Sequence, residues 1–313
     1  DDITGYRLLG NLQVKQPFGV SGSYEVFTDG RGMRVASPNS ALPKFGTRKN
    51  VRRIMLIGNS QTFGHGLDYR KTLSGLIDQT EKYEALNLGV SGFGSVGALE
   101  RARQFIDLKP SYIVLIYYYD HADRSLNACY PGFTLGCMSV PHLSLGSGGE
   151  ISLKPAKDNS FTISALRRYF EYSQAEDVNQ NLLEDMFYSA WRDFSNLGRN
   201  IGLIKRYEAK PERDRALADI WIMRELKSLA TEVDATPLVI FIPNYHEVGV
   251  TPIPARLEDA AKKAEITLID PTIEFRKLKE SNINDLILEK VLSNFLTITK
   301  STSNFLSKLI FCI

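Results

Sequence analysis

The sequence predicts an α/β protein, a three-layer α/β/α sandwich on a mainly parallel sheet. Three observations predict it. Short, continuous apolar runs recur along the chain, segments with apolar residues at helical spacing separate them, and each run stops at glycine or polar residues. Strands apolar throughout are buried on both faces, and helices between them supply the two covering layers.

The elements follow in order. "RRIMLIG" (52–58) is the first apolar strand, and "RKTLSGLIDQTEKY" (70–83) places Leu73, Leu76 and Ile77 on one helical face. "EALNLGV" (84–90) is a second strand, and "VGALERARQFIDL" (96–108) a helix with Val96, Leu99, Ala102 and Ile106 aligned. "SYIVLIYYY" (111–119) is the third strand. After a long interruption come a helix at 214–233, the buried strand "TPLVIFIP" (236–243), a helix at 255–264 and a last strand, "ITLID" (266–270). The predicted organisation is a strand-containing lead-in over 1–50 and one main domain over 51–313, with an insert at about 124–213.

Composition narrows the function classes. The 313 residues are 43% hydrophobic and 24% charged, with a formal net charge of +2. That balance gives no reason to expect nucleic acid, and the basic run at 47–53 reads as a solvated turn. No apolar run reaches the roughly 18 residues of a membrane span, and the start lacks a signal-peptide pattern. The chain begins at Asp1 without a Met, as a processed form or a trimmed chain whose anchor or signal has been removed would. Of three cysteines, Cys129 and Cys137 bracket "CYPGFTLGC", a loop that a disulfide could close; such a bridge favours an extracytoplasmic location, periplasm or cell envelope.

In open parallel sheets ligands bind beyond the carboxyl ends of the strands. The residues there are "GNSQTFG", "GVSGFG", "DHAD" and "PNYHE". Ser60, Gly92, His121 and His246 can therefore converge on one crevice. Ser60 as a simple helix cap is the competing structural reading.

These blocks carry a resemblance. "IGNSQTFGHGL" resembles the serine block of the SGNH, or GDSL, hydrolases, and "NLGVSGFGS" resembles the block whose glycine lends a backbone N–H to the oxyanion hole. "IVLIYYYDHADRS" stands where the family has an Asn completing that hole, and the opening "TGYRLLGN…YEVFTDGRGMRV" resembles the lead-in of envelope-tethered members. The resemblance implies a flavodoxin-like sheet and ester hydrolysis or O-acyl transfer through Ser60, with Gly92 at the oxyanion and no cofactor. Acyl esters, glycans or lipids would be the ligands.

The departures are equally specific. Asn59 replaces the family's Asp, and the C-terminal Asp and His that would activate the serine are missing: Ser293 and Phe295 stand there, and no histidine follows His246. A serine hydroxyl is a weak nucleophile until a base takes its proton. The tail is either a degenerate block or not the native ending. His121 could serve as base, oriented by Asp120 or Asp123, or as a surrogate oxyanion donor; His246 reads as a crevice-rim residue, and His65 and His142 as structural. A degenerate SGNH module that binds a ligand or protein is the alternative to an enzyme, with the aromatic insert segment 164–194 as its partner surface or simply its own core. No residues show metal-ligand spacing, and the glycines of 89–97 do not fit a dinucleotide fingerprint.

Overall fold

A computed structural model describes residues 3–18, 22–38, 40, 51–80, 82–133, 136–146, 148–157, 210–243 and 253–271. The lead-in forms β1 (Gln13–Phe18), β2 (Gly22–Thr28) and the short β3 (Arg34–Val35), paired antiparallel in sequence. β3 joins β5 (Tyr83–Asn87) through Arg34 opposite Asn87, so the lead-in extends the main sheet.

Five parallel strands follow. β4 (Arg52–Ile57) lies between β5 and β6 (Tyr112–Tyr118), and β11 (Thr236–Ile242) and β12 (Thr267–Ile269) continue from β6. The chain runs from β4 outward to β5 and then crosses back to β6, so the winding reverses between β4 and β6. That reversal opens a crevice at the carboxyl ends of the two strands.

Alternation along the strands sorts their side chains between two layers. Met55, Ile57, Ile113, Leu115, Val239 and Phe241 pack under α3 (Ser95–Arg103), α5 (Glu212–Glu232) and α6 (Ala255–Lys263). Ile54, Leu56, Val114, Ile116, Leu238 and Ile240 face the other way, onto Leu73, Leu76 and Ile77 of α2 (Leu73–Asp78). The three-layer sandwich with a mainly parallel sheet is thus present, and no helix among the described residues is long and apolar enough to cross a membrane.

Two expected helices are shorter than their patterns. The segment 70–83 divides into a 3₁₀ turn, α2 and the start of β5, because Asp78 accepts from Tyr69 Oη and from the Ala85 N–H, both at 2.8 Å. Those bonds tie the end of α2 to the next strand. The segment 96–108 is helical only to Arg103, and a 3₁₀ turn at Ile106–Leu108 ends at Lys109 with φ 46°. Of the predicted insert, residues 124–157 contain the end of α4 (His121–Ser125) and two hairpins, β7 (Cys129–Phe133) with β8 (Gly136–Ser139) and β9 (His142–Leu145) with β10 (Ile151–Lys154). Cys129 is disulfide-bonded. The aromatic segment 164–194, His246 and the tail at 293–310 lie outside the described residues.

Candidate functional site

Ser60 opens α1 (Ser60–Phe63), immediately beyond β4. The turn depends on Gly58, at φ 151°: a Cβ there would lie 2.2 Å from Thr62 Oγ1 and 2.9 Å from the Ile116 carbonyl of β6. Only a residue without a side chain lets α1 fold so closely over the neighbouring strand. The cap is Asn59, not Ser60. Its Oδ1 accepts from the Gln61 N–H at 2.9 Å, while its buried Nδ2 has no hydrogen-bond partner among the described residues. Ser60 is thereby left partly exposed, with its hydroxyl and its backbone N–H unbonded among the described residues.

The Gly92 loop reaches the same end of the sheet. Leu88 donates to Leu56 at 2.9 Å and Val90 to Gly58 at 3.1 Å, so the β4–β5 ladder persists past both strands. Gly89 lies against α1, where a Cβ would sit 2.2 Å from Phe63 N. Gly92 is buried at φ 87°, a left-handed turn that glycine takes without strain. From the lead-in, Tyr6 Oη donates to the Ser91 carbonyl at 2.8 Å, and its ring meets Phe93 edge-on at 5.1 Å.

His121, at the start of α4, is fully buried. Its Nδ1 lies 3.0 Å from Ser95 Oγ, its ring is 5.3 Å from that of Tyr117, and its Nε2 has no hydrogen-bond partner among the described residues. Burial, helped by the charge of Arg124, pushes its pKa well below the usual imidazole value and keeps it neutral. The structure therefore brings His121 to the first turn of α3 and forms no bond from it to Ser60. Of its proposed orienting acids, Asp120 is paired with Arg124 at 2.8 Å, and Asp123 accepts from the Lys210 N–H at 2.7 Å. His65 is near Tyr24 Oη, at 2.8 Å, and His142 near the Val140 carbonyl, at 3.2 Å.

Beside His121 lies a buried polar cluster. Tyr117 Oη donates to Asp219 Oδ1 at 2.5 Å, and Arg256 Nη1 to Asp219 Oδ2 at 2.9 Å. Desolvation raises the Asp219 pKa to about 6 against the opposing pull of Arg256. Among the described residues no cluster of His, Cys, Asp and Glu could hold a metal ion.

Sequence reasoning missed Tyr6, Arg34 and Asn87, which fasten this end of the sheet. Their only signal was the likeness of the lead-in and of "NLGVSGFGS" to the family blocks, since polar residues give no period from which burial can be read.

No protein-family model matches the chain, and no curated protein does. Several solved structures are similar, two of them as follows. One is LAE5, an alpha/beta hydrolase enzyme from the metagenome of Lake Arreo, Spain, at 11% identity and a TM-score of 0.37, covering 74% of this chain and 82% of that one. The other is a putative lipolytic protein of the G-D-S-L family from Desulfitobacterium hafniense DCB-2, at 11% identity and a TM-score of 0.32, covering 83% and 93%. The fold assignment stands on the strand order and the two helical layers, independent of these likenesses.

Proposed function

We propose that the chain is an SGNH-type serine hydrolase-like protein, an acyl-ester hydrolase or O-acyltransferase acting through Ser60. The observation that carries this reading is the position of Ser60: first in α1, at the winding reversal between β4 and β6, with the residue partly exposed and its hydroxyl unbonded among the described residues. In the reaction, Ser60 Oγ attacks the ester carbonyl carbon and its proton passes to a base. The base returns that proton to the departing oxygen, which leaves as the alcohol. Water or an acceptor hydroxyl then attacks the acyl-Ser60 carbonyl and releases the acyl group, its proton passing through the base back to Ser60 Oγ. The Ser60 and Gly92 N–H groups hold the oxyanion; neither is hydrogen-bonded among the described residues. His121 acts on the site indirectly, fixing Ser95 and with it the start of α3. The disulfide at Cys129 supports an oxidising compartment.

One observation favours the second reading, a degenerate module that binds an ester, glycan or lipid without turnover: His121 is fully buried against Ser95 and Tyr117 and makes no hydrogen bond to Ser60. Intact-mass analysis after incubation with a fluorophosphonate separates the two. A single adduct on the wild type that Ser60→Ala abolishes supports the enzyme. A folded wild type that stays unlabelled beside a reactive serine esterase supports the binding module.

A further inference from the structure

We infer that Arg34, from the lead-in, is the positioning residue that sets the Ser60 turn; the inference rests on reading Ser60 as the reactive serine. It begins with the four carbonyls of α1. A helix of one turn has no stability of its own, and its last carbonyls need partners from elsewhere. The Ser60 carbonyl accepts from the Gly64 and His65 N–H groups, and the Gln61 carbonyl from Gly64 N–H. Asn87 Nδ2 takes Thr62 O at 3.1 Å. The Phe63 carbonyl falls to Arg34 Nη1, which also donates to Gly64 O at 2.8 Å, while Nη2 donates to Leu67 O. One guanidinium thus gathers three carbonyls that follow the serine.

Arg34 is only 1% exposed, and its guanidinium lies 4.5 Å from the centre of the Phe63 ring and 5.6 Å from that of Tyr24. No carboxylate is hydrogen-bonded to it among the described residues. A buried cation held by carbonyls and aromatic faces is a costly way to fill space, since an apolar side chain would do so without desolvating a charge. What the guanidinium adds is a rigid planar fork that can meet several acceptors at once, which the single ammonium of lysine cannot reproduce. The contact is close: a Cβ on Gly64, at φ 80°, would come within 3.0 Å of Nη1. Because β3 is bonded through Arg34 to β5, the lead-in reaches the serine turn directly.

The test compares Arg34→Lys and Arg34→Met with the wild type in the full chain, by amide hydrogen exchange across residues 60–67 and by the rate of fluorophosphonate labelling. We expect exchange at Gly64 and His65 to quicken at least tenfold and labelling to slow at least tenfold, with the exchange of β4, β6 and β11 unchanged. The lysine variant keeps the charge and decides the matter if the methionine variant does not fold. Unchanged exchange across 60–67 in a folded variant overturns the inference whatever the labelling does. A wild type that does not label removes the serine reading, and the exchange arm still decides whether Arg34 holds the turn.

Discussion

Asn87 Nδ2 donates to the Thr62 carbonyl at 3.1 Å, and the same side chain accepts from the Gly89 N–H at 3.1 Å, so one amide at the end of β5 fastens the Gly92 loop to the helix of Ser60. Asn87 is fully buried. Asn87→Ala should leave two buried groups unsatisfied and cost roughly 1–3 kcal/mol. Asn87→Asp should cost more, because a carboxylate would then face the Thr62 and Phe63 carbonyls. Urea titration of the three proteins checks the order, and equal stability of the Ala and Asp variants would refute it.

Gly89 packs directly against the backbone of α1. An alanine there would place its Cβ 2.2 Å from Phe63 N and 2.7 Å from the Thr62 carbonyl carbon, both backbone atoms that cannot turn aside as a side chain can. Gly89→Ala should therefore destabilise by about 1–3 kcal/mol through overpacking, and should displace Ser60. Labelling by the fluorophosphonate should fall further than the thermal midpoint suggests. A variant with wild-type labelling and an unchanged midpoint would show that the loops separate without cost.

How far the sequence reveals this arrangement depends on the kind of signal each part leaves. Ile54 to Ile57, Ile113 to Leu115 and Val239 to Ile240 are apolar on both faces because helices cover both, and that pattern predicts the parallel sheet directly. Ser60 was legible because it follows an apolar run within a glycine-bounded turn. The extent of α2 was not, since Asp78 ends it through bonds to Tyr69 and Ala85 that no period encodes. Nor was the role of Asn59 as cap, because Asn59 and Ser60 are adjacent and either residue type caps a helix. Arg34 and Tyr6 act across 29 and 85 residues of sequence, and contacts of that span leave no local trace.

The Asn59 cap gives a small, separable effect. Asn59→Ala should remove the bond to the Gln61 N–H and cost about 1 kcal/mol. Because α1 is a single turn, the loss should appear as faster hydrogen exchange in residues 60–65 before it appears in global unfolding. Exchange that changes only with global stability would count against a local role.

His121 should contribute a component of stability that acid removes. Its imidazole stays neutral when folded, whereas the unfolded chain titrates near 6.5 and binds the extra proton. Stability from this group is therefore complete above about pH 6.5 and declines on acidification, by at most about 1.4 kcal/mol per pH unit. His121→Gln, which can still reach Ser95, should remove that component, so the variant should lose less stability than the wild type on acidification. Parallel pH profiles for the two proteins would mean that the buried ring is protonated as easily as a free one.

Asp219 should do the reverse over nearly the same range. Its carboxyl is fully buried and its pKa stands at about 6 in the fold, against 3.8 for the free side chain. Between these values the native state keeps a proton that the unfolded chain releases, so stability falls as pH rises from about 4 to about 6, by roughly 3 kcal/mol for a shift of this size. His121 gains stability over part of the same range, and the two slopes offset one another in the wild type. Asp219→Asn should unmask the rise due to His121, leaving the variant steeper than the wild type between pH 4 and 6. Arg256 loses its buried partner in that variant, so a further destabilisation, present at every pH above 6, should accompany the change in slope. Chemical unfolding of both proteins across pH 4–7 reads the slope and the offset separately. An offset without a change of slope would mean that Arg256 and Tyr117 together hold Asp219 ionised throughout, and that desolvation does not govern this carboxyl.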